Sequence, residues 1–165
     1  MGALVLGARL KALSVGKVQH DRILLHTDDV PSNFVSALKM VWTMVRQVDY
    51  IDAVETMYIQ KGGGFDGVFT KLQAWSLTDY DRVLLLDVDI IPLQLPEPIF
   101  HTDCPAAFVR GNGTEIHGSA VDGRRFFVGD VAQEHRRQYE WCQSGGINAG
   151  VILLQPCQFT LDVMV

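Results

Sequence analysis

The sequence predicts an α/β domain built on a mixed, mostly parallel sheet flanked by helices. Two observations carry that reading. Short apolar runs of strand length alternate with segments whose apolar residues recur every three and four positions. The run Val83 to Leu86 is continuously apolar, as expected of a central strand covered on both faces. At 165 residues, 48% of them hydrophobic, the chain is long enough for a single domain, 1–165, with a real core.

The first element is a helix. Ala3, Leu4, Val5, Leu6, Leu10 and Leu13 recur at helical spacing, although Gly7 weakens the pattern. Arg22 to His26 reads as a short strand closed by Thr27, Asp28 and Asp29. Pro31, Ser32 and Asn33 open a second helix. Its Phe34, Val35, Leu38, Val41, Trp42 and Val45 form one face suited to a sheet. Val48 to Ile51 reads as the next strand. Lys61-Gly62-Gly63-Gly64-Phe65 is a loop without the spacing of a nucleotide-binding fingerprint. Phe69, Leu72, Trp75 and Leu77 mark a helix that contains Lys71.

Beyond Pro92, Pro96, Pro98 and Pro105 impose an irregular connection with one turn of helix. Ala106 to Val109 is a small strand ending at Arg110. Residues 111–145 form a polar, glycine-rich, insertion-like loop of a length usual for functional segments. Ile147, Asn148, Ala149 and Gly150 then lead into an apolar strand through Leu154. The small side chains of Ala149 and Gly150 leave room for a ligand or for close strand crossing. A final helix begins after Pro156.

Composition removes several function classes. The net charge is -5, and there is no basic cluster beyond Arg124-Arg125 and Arg136-Arg137, which argues against a nucleic-acid partner. Cys104, Cys142 and Cys157 are widely spaced, which argues against a disulfide framework or a zinc site and points to a reducing compartment. Met1 to Leu13 carries Arg9 and Lys11 inside its apolar part and makes a poor signal peptide. No apolar run reaches membrane-spanning length. A cytoplasmic location is the expectation; a Golgi location would require an N-terminal anchor on a longer chain.

The chemistry concentrates where the apolar run Val83 to Leu86 ends in Asp87-Val88-Asp89. In extended backbone two such carboxylates project to one side, about 6–7 Å apart, and repel each other. A divalent cation with a preference for hard oxygen ligands, magnesium or manganese, relieves that repulsion. Acidic residues also end strands as turn formers or helix caps, so the motif alone leaves both readings open.

Three pieces occur in a fixed order: Thr70-Lys71-Leu72-Gln73-Ala74-Trp75-Ser76-Leu77, Asp87-Val88-Asp89, and Ile147-Asn148-Ala149-Gly150-Val151. With Gly2-Ala3-Leu4-Val5-Leu6-Gly7 at the start, the chain resembles glycosyltransferase family 8, in particular its glycogenin-like branch. The resemblance implies a GT-A (Rossmann-like) nucleotide-diphospho-sugar transferase fold. It implies transfer of a hexose from a UDP-sugar to an acceptor hydroxyl, with retention of configuration and dependence on Mn2+ (or Mg2+). The acceptor would be a carbohydrate or a glycosylated molecule.

By the same resemblance, Asp87 and Asp89 are metal ligands, and Asp87 also touches the ribose or uracil side of the donor. Lys71 lies against the donor sugar and phosphates, and Asn148 contacts a sugar beside the reaction centre. Val88, Ala149 and Gly150 complete the donor-binding set. Arg110 stands where relatives often carry an acidic or small residue facing the acceptor.

The pattern departs from the family at both ends, so the resemblance implies a chain truncated there. Relatives begin with a uridine-binding strand, and they carry a later His-x-x-Gly-x-x-Lys-Pro-Trp segment whose histidine is a third metal ligand. His117 is a weak substitute, because it lies in a polar loop. These departures raise an alternative: a non-catalytic UDP-sugar-binding fragment or an inert remnant, exposing apolar surface and open sheet edges. Haloacid-dehalogenase-type phosphohydrolases also place Asp-x-Asp after an apolar strand. Here the motif is followed by Ile90-Ile91-Pro92 rather than small polar residues, which disfavours that reading. None of Tyr50, Tyr58, Tyr80 and Tyr139 lies in a recognisable self-glycosylation context.

Overall fold

The computed structural model describes residues 1–17, 20–51, 67–109 and 147–165. The Lys61–Phe65 loop, Arg110, His117, Tyr58, Tyr139, Cys142 and the 111–145 segment lie outside the described residues. The chain divides into two compact units interleaved in sequence. One comprises Met1–Asp81, Val88–Leu95 and Pro156–Val165; the other comprises Arg82–Asp87 and Pro96–Gln155.

The first unit opens with helix α1, Gly2–Leu13. Gly7, which weakens the helical pattern on propensity, is needed for packing. A Cβ there would stand 2.7 Å from Trp42 Nε1 and 2.8 Å from Val41 Cγ2. Trp42 in turn donates from Nε1 to the Ala3 carbonyl at 3.0 Å. Leu6 and Trp42 are both buried.

Strand β1, Ile23–His26, runs parallel to β2, Met44–Gln47, with Ile23 opposite Met44 and His26 opposite Gln47. Helix α2 between them spans Ser32–Leu38 and is shorter than the helical spacing suggests. The amides of Thr43 and Met44 are taken by the Arg22 carbonyl, at 2.8 and 3.1 Å. That capture leads into β2 and places Val45 in a strand, while Phe34 on α2 is exposed. Strand β2 therefore lies just before the expected Val48–Ile51.

A 3₁₀ helix, Val68–Ser76, occupies the place of the expected α-helix. The unit closes with α3, Gln158–Met164, tied to the 3₁₀ helix by the Cys157 amide donating to the Trp75 carbonyl at 3.0 Å. Ala74, Leu77 and Leu161 are buried.

The second unit is an antiparallel sheet of β3 (Val83–Leu86), β5 (Ile147–Leu154) and β4 (Ala106–Val109), with β5 in the middle. A short 3₁₀ helix, Glu97–His101, lies between β3 and β4 in sequence. Arg82 braces the start of β3 by donating from Nη1 to the carbonyls of Phe100 and, at 2.7 Å, Thr102.

Two expectations change here. Among the described residues the sheets contain one parallel and two antiparallel pairings, so the sheet system is mixed but not mostly parallel. The strand buried on both faces is β5, whose consecutive Leu153 and Leu154 are 1% and 0% exposed. Strand β3 is only half-buried and, among the described residues, lies at the edge of its sheet. A continuous apolar run reports cover on both faces, and a central antiparallel strand satisfies it as well as a parallel one.

Candidate functional site

Strand β3 delivers Asp87 to one end of the antiparallel sheet. Leu86 is opposite Val151, and the Asp87 amide donates to the Gly150 carbonyl at 2.8 Å. On the other side of β5 the ladder to β4 is interrupted. Between Ala107 and Phe108 the partners on β5 jump from Ile152 to Asn148. Ala149, Gly150 and Val151 therefore fall at a register shift, a bulge or irregularity in the ladder, beside the half-buried Asp87. Bulges of this kind re-aim backbone and side chains and recur next to active sites. The small residues Ala149 and Gly150 fall where the strand distorts. Asn148 is the first residue past the bulge, where pairing to β4 resumes. The second unit thus gathers Asp87, Asn148, Ala149 and Gly150 at one sheet end.

Val88, Asp89 and Lys71 belong to the first unit. Strand β3 stops at Leu86, and Val88 and Asp89 form a turn with both residues exposed. The two carboxylates are thus presented by a strand end and the turn after it, not by continuous extended backbone as the spacing suggests. The turn packs on α1. A Cβ on Gly2 would lie 2.5 Å from the Val88 carbonyl oxygen, so the helix start can approach only without a side chain.

Lys71 sits on the 3₁₀ helix, which is pinned along its length to the chain after β2. Gly67 starts it in a left-handed conformation, φ +78°, under the Tyr50 ring; a Cβ there would be 2.8 Å from Tyr50 Cε1. The Ile51 amide donates to Thr70 Oγ1, and Gln73 Nε2 donates to the Asp49 carbonyl, both at 3.2 Å. Tyr50 itself donates to Asp29 Oδ2 at 3.3 Å, and Thr27 donates to the other oxygen of Asp29. This support escapes sequence inspection because residues 49–51 and 67–73 are brought together only by the fold. Gly67 just before an apolar pattern was its one visible trace.

The donor set suits a hard divalent cation. Asp87 and Asp89 offer carboxylate oxygens only. Among the described residues no three of His, Cys, Asp and Glu group as a metal-ligand set. Carboxylate oxygens of this kind would suit magnesium or manganese rather than a softer ion.

Comparison with known proteins shows what the chain is similar to. The chain is 32% identical over 159 residues to an uncharacterized protein of Acanthamoeba polyphaga mimivirus, covering 94% of this chain and 50% of that protein. It is 29% identical over 120 residues to UDP-glucuronate:xylan alpha-glucuronosyltransferase 2 of Arabidopsis thaliana, covering 73% of this chain and 19% of that protein. It is 30% identical over 104 residues to Glycogenin-1 of Oryctolagus cuniculus, covering 62% of this chain and 30% of that protein. The named relatives, at modest identity, are thus glucuronosyltransferases and glycogenins.

No family model matches. The chain spans half the length of its viral relative and less of the other two. No helix among the described residues is long and apolar enough to cross a membrane. The thiols of Cys104 and Cys157 are free.

Proposed function

We propose that this glycogenin-like chain carries the donor-handling part of a glycosyltransferase that moves a hexose from a UDP-sugar to an acceptor hydroxyl, with retention and with Mn2+ (or Mg2+). The observation that supports it most is the Asp87 strand end seated beside the β5 bulge at Ala149–Gly150, with Asn148 just beyond. Nucleotide chemistry at a strand end needs close backbone approach, and the small residues there permit it.

In this reading Asp87 and Asp89 hold the cation, which when bound supplies Lewis-acid neutralisation of the diphosphate leaving group. The Lys71 ammonium adds a second positive charge toward the phosphates, one that strengthens as water is excluded. Asn148 offers an amide that donates and accepts, suited to orienting a sugar hydroxyl. Attack of the acceptor from the face of the departing phosphate gives retention. The acceptor is a carbohydrate or a glycosylated molecule. The plant relative's name specifies UDP-glucuronate, so both UDP-glucuronate and UDP-glucose belong in the test.

The test is UDP release from each donor by the chain with Mn2+, alongside Asp87→Ala and Asp89→Ala. Loss in both variants is expected. Calorimetric UDP–Mn2+ binding without turnover would favour a non-catalytic donor-binding protein. Undiminished turnover in both variants would overturn the metal assignment.

A further inference from the structure

We infer that Arg9 is a positioning residue for Asp89, an inference that rests on the metal role proposed above. Its guanidinium donates from Nε to the Pro92 carbonyl and from Nη2 to the Leu93 carbonyl, both at 2.9 Å. These two acceptors are consecutive main-chain oxygens, and a planar fork matches them as a point charge does not. At the other end of the same segment Gly2 meets the Val88 carbonyl oxygen so closely that no Cβ fits. Helix α1 therefore grips the chain on both sides of Asp89, before it at Val88 and after it at Pro92 and Leu93. The two grips are seven residues apart on α1, about 10 Å along the helix axis.

The segment between the grips is only partly covered. Val88, Ile91 and Leu93 are 49%, 61% and 85% exposed and Ile90 and Pro92 are half-buried, so burial alone does not set the path of the Asp89 turn. An exposed carboxylate on a loosely packed turn is a poor metal ligand unless its backbone is held, because ordering it costs conformational entropy at the moment of binding. Arg9 meets that cost in advance. It touches neither the proposed metal nor the donor in this scheme, and it acts only through the backbone of the turn.

The experiment measures Mn2+ affinity in the presence of UDP, by the electron-paramagnetic-resonance signal of free Mn2+, for the chain and four variants. Arg9→Lys keeps the charge and removes the fork; Arg9→Met removes both. Partners that orient metal ligands typically contribute about 10–100-fold to affinity, so both variants should weaken Mn2+ binding by at least about tenfold. Lys11→Met is the control, because Lys11 also ties α1 to a carbonyl, that of Met40 at 3.1 Å, away from the turn. It should leave the affinity unchanged. Asp89→Ala calibrates complete loss.

Unchanged affinity in both Arg9 variants while Asp89→Ala loses binding would overturn the role of Arg9 alone. An equal loss in Lys11→Met would reduce it to general loosening of α1 and overturn it too. Full affinity in Asp89→Ala would remove the metal reading and the inference with it.

Discussion

The Asp87 amide and the Gly150 carbonyl meet at 2.8 Å, one residue beyond the last paired position of β3 and inside the bulge of β5. That bond fixes where the first carboxylate leaves the sheet. The backbone is committed to the ladder, so the side chain is displayed from a fixed point rather than from a loop.

Asp87→Asn should accordingly preserve the fold while removing a charge from the proposed metal site. We expect transfer or UDP release to fall by at least about a hundredfold, in line with the loss of a group that holds catalytic charge. The melting temperature should move little, because Asp87 is only half-buried and its backbone bond survives. Parallel kinetics and thermal melts check this. A large melting shift with proportionate activity loss would mean that Asp87 is structural.

Lys71 is expected to act on the donor rather than on folding. Lys71→Ala should lower turnover, and Lys71→Arg should recover it only partly, since a guanidinium fork does not replace a compact ammonium. Tyr50→Phe provides the contrast: it removes the hydroxyl bond to Asp29 but keeps the ring that covers Gly67. It should cost stability by about 0.5–1.5 kcal/mol at most, the usual net value of one hydrogen bond, with a smaller effect on turnover than either Lys71 variant. Steady-state kinetics with denaturant melts separate the two.

Gly7→Ala tests packing against propensity. Alanine gains up to about 1 kcal/mol of helix propensity over glycine. Here the new methyl would meet Trp42 and Val41 at 2.7–2.8 Å, and overpacking of that kind costs about 1–3 kcal/mol. The net expectation is a lower melting temperature together with altered Trp42 fluorescence. A gain in stability would show that α1 shifts to make room.

How much of this was legible in the chain follows from particular residues. Local chemistry placed α1, β1, β4 and α3 well, because apolar spacing, Pro31, Pro156 and the turn Thr27–Asp29 act within a few residues. The ends of the apolar runs Val83–Leu86 and Val151–Leu154 also showed, because polar or small residues flank them directly. What did not show was non-local. The Arg22 carbonyl that takes the amides leading into β2 comes from the residue before β1, and the antiparallel sense of β3 depends on pairing with β5, more than sixty residues on. The Tyr50–Gly67 contact and the grip of Arg9 on Pro92 join positions whose nearness no periodicity encodes.

Asp29 supplies a pH prediction. The Thr27 hydroxyl donating to it, with a further bond from Tyr50, holds its carboxyl below its ordinary value of 3.8. A carboxyl lowered in the fold contributes stability that is complete above the unfolded value and is lost as pH falls through the folded one. The contribution of Asp29 should therefore be intact at neutral pH and fade only below about pH 4. Thr27→Val should raise the Asp29 titration midpoint toward 3.8 in carbon-detected NMR and shift acid unfolding to higher pH. An unmoved midpoint would show that the hydroxyl does not engage the carboxylate in solution.

The two free thiols described here should differ in reactivity. Cys157 precedes α3, where the Thr160 hydroxyl and backbone amide stabilise its thiolate and lower its pKa from 9.0. Burial pushes the Cys104 thiol the other way. The thiolate is the reactive species, so at pH 8 iodoacetamide should alkylate Cys157 well before Cys104. Thr160→Val should slow Cys157 and leave Cys104 unchanged, as followed by peptide mass spectrometry over time. Equal rates at the two thiols, or a Cys157 rate indifferent to Thr160, would show that access rather than hydrogen bonding governs the reaction. Because the Cys157 amide also holds the Trp75 carbonyl at the end of the Lys71 helix, bulky alkylation there should lower the melting temperature of the first unit.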